Sequence, residues 1–236
     1  EYALERLDTS GETDALRDRH AEFFEGRAAD AYAERISREG ELADELEADH
    51  DNLRAALDRL AATDPRRQLR LAGMLGWFWH AHSHLSEGRA RLAQALAASS
   101  EPEEDRARAL GAAGALAGYQ GDLTTARLLV DEAIAIWRAR NAERDVAISL
   151  FDLGWAHFFD GDNDSARRCM EESLEIQRRL ENPALINRAQ VGLLQMLVAQ
   201  GELEDVPRLA NEAIELSRSL GDTWAEHFAY HFLADL

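Results

Sequence analysis

Leu153-Gly154-Trp155-Ala156-His157-Phe158-Phe159-Asp160-Gly161-Asp162-Asn163-Asp164-Ser165-Ala166-Arg167-Arg168-Cys169-Met170-Glu171-Glu172-Ser173 reads as two helices joined by a tight turn. Gly161 suits a left-handed residue closing the first helix, and Asp162 suits the cap of the second. Gly154 and Ala166 lie on either side of that turn. Two antiparallel helices approach closely only where both present small side chains, so these two residues mark a helix crossing. Ser173, two turns further on, is expected against the next hairpin.

The same arrangement recurs along the chain. Gly121-Asp122-Leu123, Gly161-Asp162-Asn163 and Gly201-Glu202-Leu203 are spaced by 40 and 40 residues. Twelve residues beyond each Gly stand Ala133, Ser173 and Ala213; five beyond stand Ala126, Ala166 and Val206; seven before stand Gly114, Gly154 and Leu194. With a slip of two residues, Gly76, Ser83-His84-Leu85, Gly88 and Ala95 form an earlier unit. Of the 16 slots so aligned, 14 hold Gly, Ala or Ser, which makes a repeat array the organising feature. Apolar residues such as Val130, Ile134 and Trp137 step by four and three, a helical period. No alternating run bounded by turn signals marks a strand.

Composition narrows the function. The 236 residues carry 45 acids and 26 basic residues, all Arg, for a net charge of -19. The excess acid is spread over both residues 1–62 and residues 63–236, so neither part offers the basic footprint that a phosphate backbone or an anionic membrane surface demands. No stretch approaches eighteen apolar residues, and the opening residues lack the basic and apolar regions of a signal peptide. A single cysteine, Cys169, permits no internal disulfide and fits a reducing cytoplasm.

The pattern Leu-Gly-x6-Gly-Asp-x3-Ala-x6-Ser in Leu153 to Ser173 resembles the tetratricopeptide repeat. The resemblance implies an all-α fold, a right-handed superhelical α-solenoid of antiparallel helix hairpins. That family's period is about 34 residues, against about 40–47 for HEAT and armadillo repeats. The period here is 40, and Arg138, Arg178 and Arg218 stand where the family has a Pro. Either the helices are lengthened by about six residues or the array is of HEAT type. The Gly-acid turn flanked by small residues favours lengthened tetratricopeptide helices.

A second resemblance covers the N-terminal part. Glu47-Ala48-Asp49-His50-Asp51-Asn52-Leu53-Arg54-Ala55-Ala56-Leu57, then Trp77-Phe78-Trp79, then Leu85-Ser86-Glu87-Gly88-Arg89 is similar to a block in actinobacterial STAND-class (signal-transduction ATPase) transcription regulators with LuxR- or SARP-type DNA-binding domains. Residues 1–62 are accordingly expected to join an upstream winged-helix and ATPase region to the array. The repeats would occupy residues 63–236, as 66–102, 103–142, 143–182, 183–222 and a truncated unit from 223. The Asp49-His50-Asp51-Asn52 run could contact the ATPase, or simply open an acidic helix whose Leu53, Ala56, Leu57 and Leu60 pack.

Periodicity and caps predict helices at 13–36, 41–62, 66–82, 86–98, 103–120, 123–140, 144–160, 163–180, 184–200, 204–220 and 223–236. Pro65, Pro102 and Pro183 fall at helix starts, where a missing N–H costs nothing, and Pro207 falls in a first turn behind Asp205. Phe228, Phe232 and Leu233, in the last helix, predict an exposed apolar end and some self-association.

No phosphate loop, G-x-S-x-G elbow, C-x-x-C pair or H-E-x-x-H motif is present, so neither catalysis nor a cofactor is expected. His80 and His84, and His227 and His231, have the i, i+4 spacing that can share a metal on one helix face. Neither pair has an evident third ligand, so no metal is expected. Cys169 reads as a small packed thiol.

The tetratricopeptide resemblance implies that the first helix of each hairpin lines a concave groove. Carried onto this chain, its groove positions are Trp77 and His80, Arg108 and Tyr119, Phe151, Trp155, Phe158 and Phe159, then Arg188, Gln195 and Val198. The four aromatics make an i, i+4, i+7, i+8 stripe, beside Leu150, Leu153, Gly154 and His157 as expected core. Such a stripe is either ordinary core or a binding face. The groove would take a protein, a peptide or a small-molecule effector. Three readings follow: a STAND regulator's sensor arm, a stand-alone scaffold for a partner's peptide or helix, or a repeat attached to an enzyme.

Overall fold

The computed structural model describes residues 12–36, 38–99 and 103–234. The described residues form twelve helices and no strands: α1 Thr13–Glu34, α2 Glu39–Ala48, α3 His50–Thr63, α4 Pro65–Ala81, α5 Leu85–Ala98, α6 Glu103–Tyr119, α7 Leu123–Ala139, α8 Glu143–Phe159, α9 Asn163–Arg179, α10 Pro183–Gln200, α11 Val206–Leu220 and α12 Thr223–Ala234. Contacts divide the chain into two compact units, Glu1–Ala112 and Ala113–Leu236. The fold is all-α and built of antiparallel hairpins. No helix among the described residues is long and apolar enough to cross a membrane.

The 40-residue period comes from helices of 17 residues, as α7, α8 and α9 each are. Lengthened helices therefore account for the spacing. The turns between them share one geometry. Asp122 N–H donates to Ala117 O (2.9 Å), Ala142 to Trp137 (3.0 Å), Asp162 to His157 (3.0 Å), Asn182 to Gln177 (3.2 Å), Glu202 to Leu197 (3.0 Å) and Asp222 to Ser217 (2.9 Å). This six-to-one bond needs a left-handed residue just before its donor. Gly121, Gly161, Gly201 and Gly221 supply it without strain, while Asn141 and Glu181 adopt it at φ 56° and 51°. The acid that follows caps the next helix: Asp122 accepts from Thr125 N–H (3.3 Å), Asp162 from Ser165 N–H (3.1 Å) and Asp222 from Ala225 N–H (3.0 Å).

Small residues sit where helices cross. A Cβ on Gly154 would lie 2.9 Å from Met170 Cε and 3.3 Å from Ala166 O; one on Gly114 would lie 2.5 Å from Val130 Cγ2. Ala126, Ala133, Ala166 and Ala213 are fully buried. Pro65 and Pro183 open α4 and α10, with Asp64 and Asn182 as side-chain caps. Pro102 lies outside the described residues.

Several expectations are corrected. The single helix over 41–62 is two, because Asp49 takes φ -102° and ψ 10° and its N–H bonds Leu46 O (3.1 Å), ending α2 and starting α3. Glu202 caps nothing; α11 begins only at Val206, behind Asp205, which makes no side-chain cap bond. Ser173 does not face the next hairpin: its hydroxyl donates to Ala147 O (2.7 Å) on α8, within its own hairpin. His157 is half-buried rather than core, with Nδ1 3.4 Å from Asp162 Oδ2. Phe232 is buried, and Phe228 and Leu233 are half-buried against the second unit's core, while Tyr230 on the same helix is exposed.

Candidate functional site

In the second unit, the α8 aromatics form one connected cluster. Phe151 and Trp155 meet edge-on with ring centroids 6.2 Å apart. Trp155 then meets Phe158 edge-on at 5.7 Å and stacks on Phe159 at 5.7 Å. These are favourable aromatic geometries. Phe151, Trp155 and Phe158 are half-buried against the unit's core. Phe151 also closes over Gly192 of α10, where an added Cβ would lie 3.2 Å from its ring. Phe159 stands out at 53% exposure, and Tyr119 of α6 at 44%. These two, with Gly114, Gly118, Asp152 and Trp155, line a narrow cleft of ≈ 10 Å³. That is room for about one water, so the feature is a face for packing and not a cavity for a metabolite.

The remaining groove positions behave differently. Arg188 and Gln195 are half-buried on α10. In the first unit, Trp77 and His80 are half-buried on α4, and the Trp77 indole N–H has no hydrogen-bond partner. Arg108 is occupied by its own helix, at 2.5 Å from Asp105 and 2.9 Å from Glu104. Its guanidinium also lies 5.5 Å from the centre of the Tyr32 ring.

A larger cleft, ≈ 300 Å³, runs between α9, α10 and α11 in the second unit, and the sequence reading missed it. Its floor is Leu174, Leu193, Leu197 and Leu209, and its rim is charged. The floor residues are only 3–6% exposed. The rim arginines are paired: Arg167 with Glu171 (2.7 Å) and with Glu202, Arg208 with Glu212 (2.8 Å), and Arg178 with Glu212 (3.5 Å). Little apolar surface or unpaired charge remains there for a partner. No signal in the sequence marks it, because three helices must pack before it exists.

Cys169 is half-buried, and burial pushes its thiol up to about 11. That keeps it protonated and unreactive, in line with a packed thiol.

The histidines are rearranged relative to the helical expectation. α4 ends at Ala81, and Ser83 takes φ 60°, so His84 leaves the helix and heads α5 instead of sharing a face with His80. His84 Nε2 lies 2.8 Å from Glu47 Oε2, and its ring centre lies 4.4 Å from that of His50. The bond from His84 holds the Glu47 carboxyl below the usual carboxylate range. Burial pulls the His50 imidazole down, against the neighbouring Glu87 carboxylate.

Residues 105–179 match the tetratricopeptide repeat family. No curated protein matches the chain. Among solved structures the chain is similar to BtubC (BKLC) from P. vanneervenii, at 20% identity and TM-score 0.65, over 93% of this chain and 92% of that one. It is also similar to the nearly identical TPR-like repeats of a Podosopora anserina protein described as a kinesin light chain. One such structure, of a point variant, matches at 16% identity and TM-score 0.59 over 90% of this chain and 99% of that one. A second matches at 18% identity and TM-score 0.54 over 92% and 95%. At these identities the likeness establishes the fold, an α-solenoid of the tetratricopeptide kind.

Proposed function

We propose that this chain is an interaction module whose α8 aromatic face receives the apolar anchor of a partner peptide or helix with basic flanks. The observation that carries this is the exposed Phe159, stacked on Trp155 and flanked by Tyr119 across the cleft. Aromatic side chains held rigidly at a surface are what interface hot spots are made of. The net charge of -19 favours a cationic partner and speeds its encounter. Titration with two amphipathic helical peptides tests this, one with Lys/Arg flanks and one with Asp/Glu flanks on the same apolar anchors. Preferential binding of the basic peptide supports the reading; equal or reversed preference contradicts it.

We further infer that the module is the sensor arm of a cytoplasmic STAND-type regulator, with residues 1–62 joining it to the ATPase. Support comes from the similarity of Glu47 to Leu57, Trp77 to Trp79 and Leu85 to Arg89 to that class. A groove ligand, whether peptide or small-molecule effector, would then act by preferring one state of the ATPase over the other. Sequencing the gene upstream of Glu1 decides the matter. A phosphate loop followed by a winged-helix segment supports the sensor arm, and a start codon close to Glu1 contradicts it. The second reading is a stand-alone scaffold for a partner's peptide or helix.

A further inference from the structure

We propose that Glu47, His50 and His84 form a binding site for a divalent transition-metal ion of the Zn2+ class, at the α2–α3 break and the head of α5. This site depends neither on recognition of a partner nor on attachment to an ATPase. Each of the three side chains offers one ligand atom, and those atoms lie within 4.8 Å of one another. Glu47 Oε2 is 2.8 Å from His84 Nε2 and 3.5 Å from His50 Nδ1. Tetrahedral zinc with bonds of about 2.0–2.2 Å holds its ligand atoms about 3.3–3.6 Å apart, a spacing close to that of Glu47 and His50 and within the 4.8 Å that spans the set. Two imidazoles and one carboxylate are a ligand set that zinc takes readily, with the fourth position left to water.

His50 is 7% exposed, and its Nε2 is buried without a hydrogen-bond partner. With Nδ1 facing Glu47, Nε2 faces Glu87 Oε2 at 3.5 Å. A metal-ligating histidine commonly gives its other ring N–H to a carboxylate, which fixes its tautomer and raises its basicity. Glu87 is itself gripped by Arg54 through two bonds, Nε to Oε1 at 2.8 Å and Nη2 to Oε2 at 2.5 Å. Phe78, fully buried, packs edge-on against His50 at 5.1 Å and walls the inner side. Glu47 and His84 are 39% and 27% exposed, which leaves an entry path.

Ligation displaces the hydrogen bond between His84 Nε2 and Glu47 Oε2. Glu47 and His50 already favour the carboxylate and neutral imidazole that ligation needs. The sequence could not assemble this set, because Glu47 and His84 are brought together only by the break at Asp49 and the end of α4 at Ala81.

The test is titration of the chain with Zn2+ alone by calorimetry, and with Co2+ followed by visible absorption. One equivalent bound, with the intense absorption of tetrahedral Co2+, is expected. His84→Ala and Glu47→Gln should each weaken binding by about tenfold or more. Both change partly exposed side chains, and circular dichroism confirms that the variants fold. The double variant His227→Ala/His231→Ala should bind as the parent does. Failure to saturate at one equivalent, octahedral Co2+ spectra, or undiminished binding in His84→Ala and Glu47→Gln would overturn the proposal. So would loss of binding in the His227/His231 variant.

Discussion

Gly76 and Ala112 touch so closely that a Cβ at position 76 would lie 2.4 Å from the Ala112 Cβ and 3.3 Å from its Cα. Neither atom can swing aside. Gly76→Ala should therefore destabilise the chain by about 2 kcal/mol, overpacking outweighing the better helix propensity of alanine. Gly26, on the exposed side of α1, has nothing within 4 Å of such a Cβ. Gly26→Ala should stabilise by about 0.5–1 kcal/mol. Urea unfolding of the two variants checks both signs.

Phe159 and Trp155 divide binding from stability. Phe159 is 53% exposed, so Phe159→Ala should change stability by about 0.5 kcal/mol or less. Trp155 packs against the core and three phenylalanine rings, so Trp155→Ala should cost about 2–3 kcal/mol, less than a fully buried Trp. Thermal unfolding of the two variants separates them.

Asp162 gives the α8–α9 turn a pH dependence of known sign. Bonds from the Ser165 hydroxyl and backbone N–H hold its carboxyl below the unfolded value of 3.8. The cap's contribution is present above that value and is lost as pH falls through the lower folded one. Asp162→Asn keeps an accepting oxygen but cannot titrate. Its stability should thus fall less than the parent's on acidification below pH about 4. Thermal unfolding across that range reads the difference.

Glu181 holds a left-handed φ of 51° where its counterparts Gly161 and Gly201 hold theirs freely. Glu181→Gly should raise stability by about 0.5–1 kcal/mol, since the relieved strain exceeds the flexibility added to the unfolded chain. Calorimetric unfolding checks it, and an unchanged or lower melting temperature would count against the strain.

Cys169, with its thiol pushed up to about 11, should react slowly with disulfide reagents at pH 8. Its thiolate fraction there is about a hundredfold below that of an unperturbed thiol, while the greater nucleophilicity of a high-pKa thiolate restores about tenfold. The net expectation is a rate about tenfold or more below that of the same chain in denaturant.

The repeat was legible because its signals are local. Gly161-Asp162 states a turn within two residues, and Gly154 and Ala166 state a crossing within one hairpin. What required the folded chain is non-local. Asp49 breaks a helix whose apolar spacing runs through it, and its carboxylate is met by Arg27 of α1 at 3.3 Å. The i, i+4 spacing of His80 and His84 suggested a shared face, but the left-handed Ser83 sends His84 to Glu47 instead. Periodicity on α8 puts the four aromatics on one stripe, and their rings do meet, yet burial alone distinguishes Phe159 from Phe151.

The most direct test of the interaction face is a binding isotherm for the basic amphipathic peptide, measured on the parent chain and on Phe159→Ala. If the α8 face receives the peptide's anchor, Phe159→Ala weakens binding by about 2 kcal/mol while its unfolding midpoint stays near the parent's. An isotherm unchanged by Phe159→Ala would place recognition elsewhere and contradict the assignment.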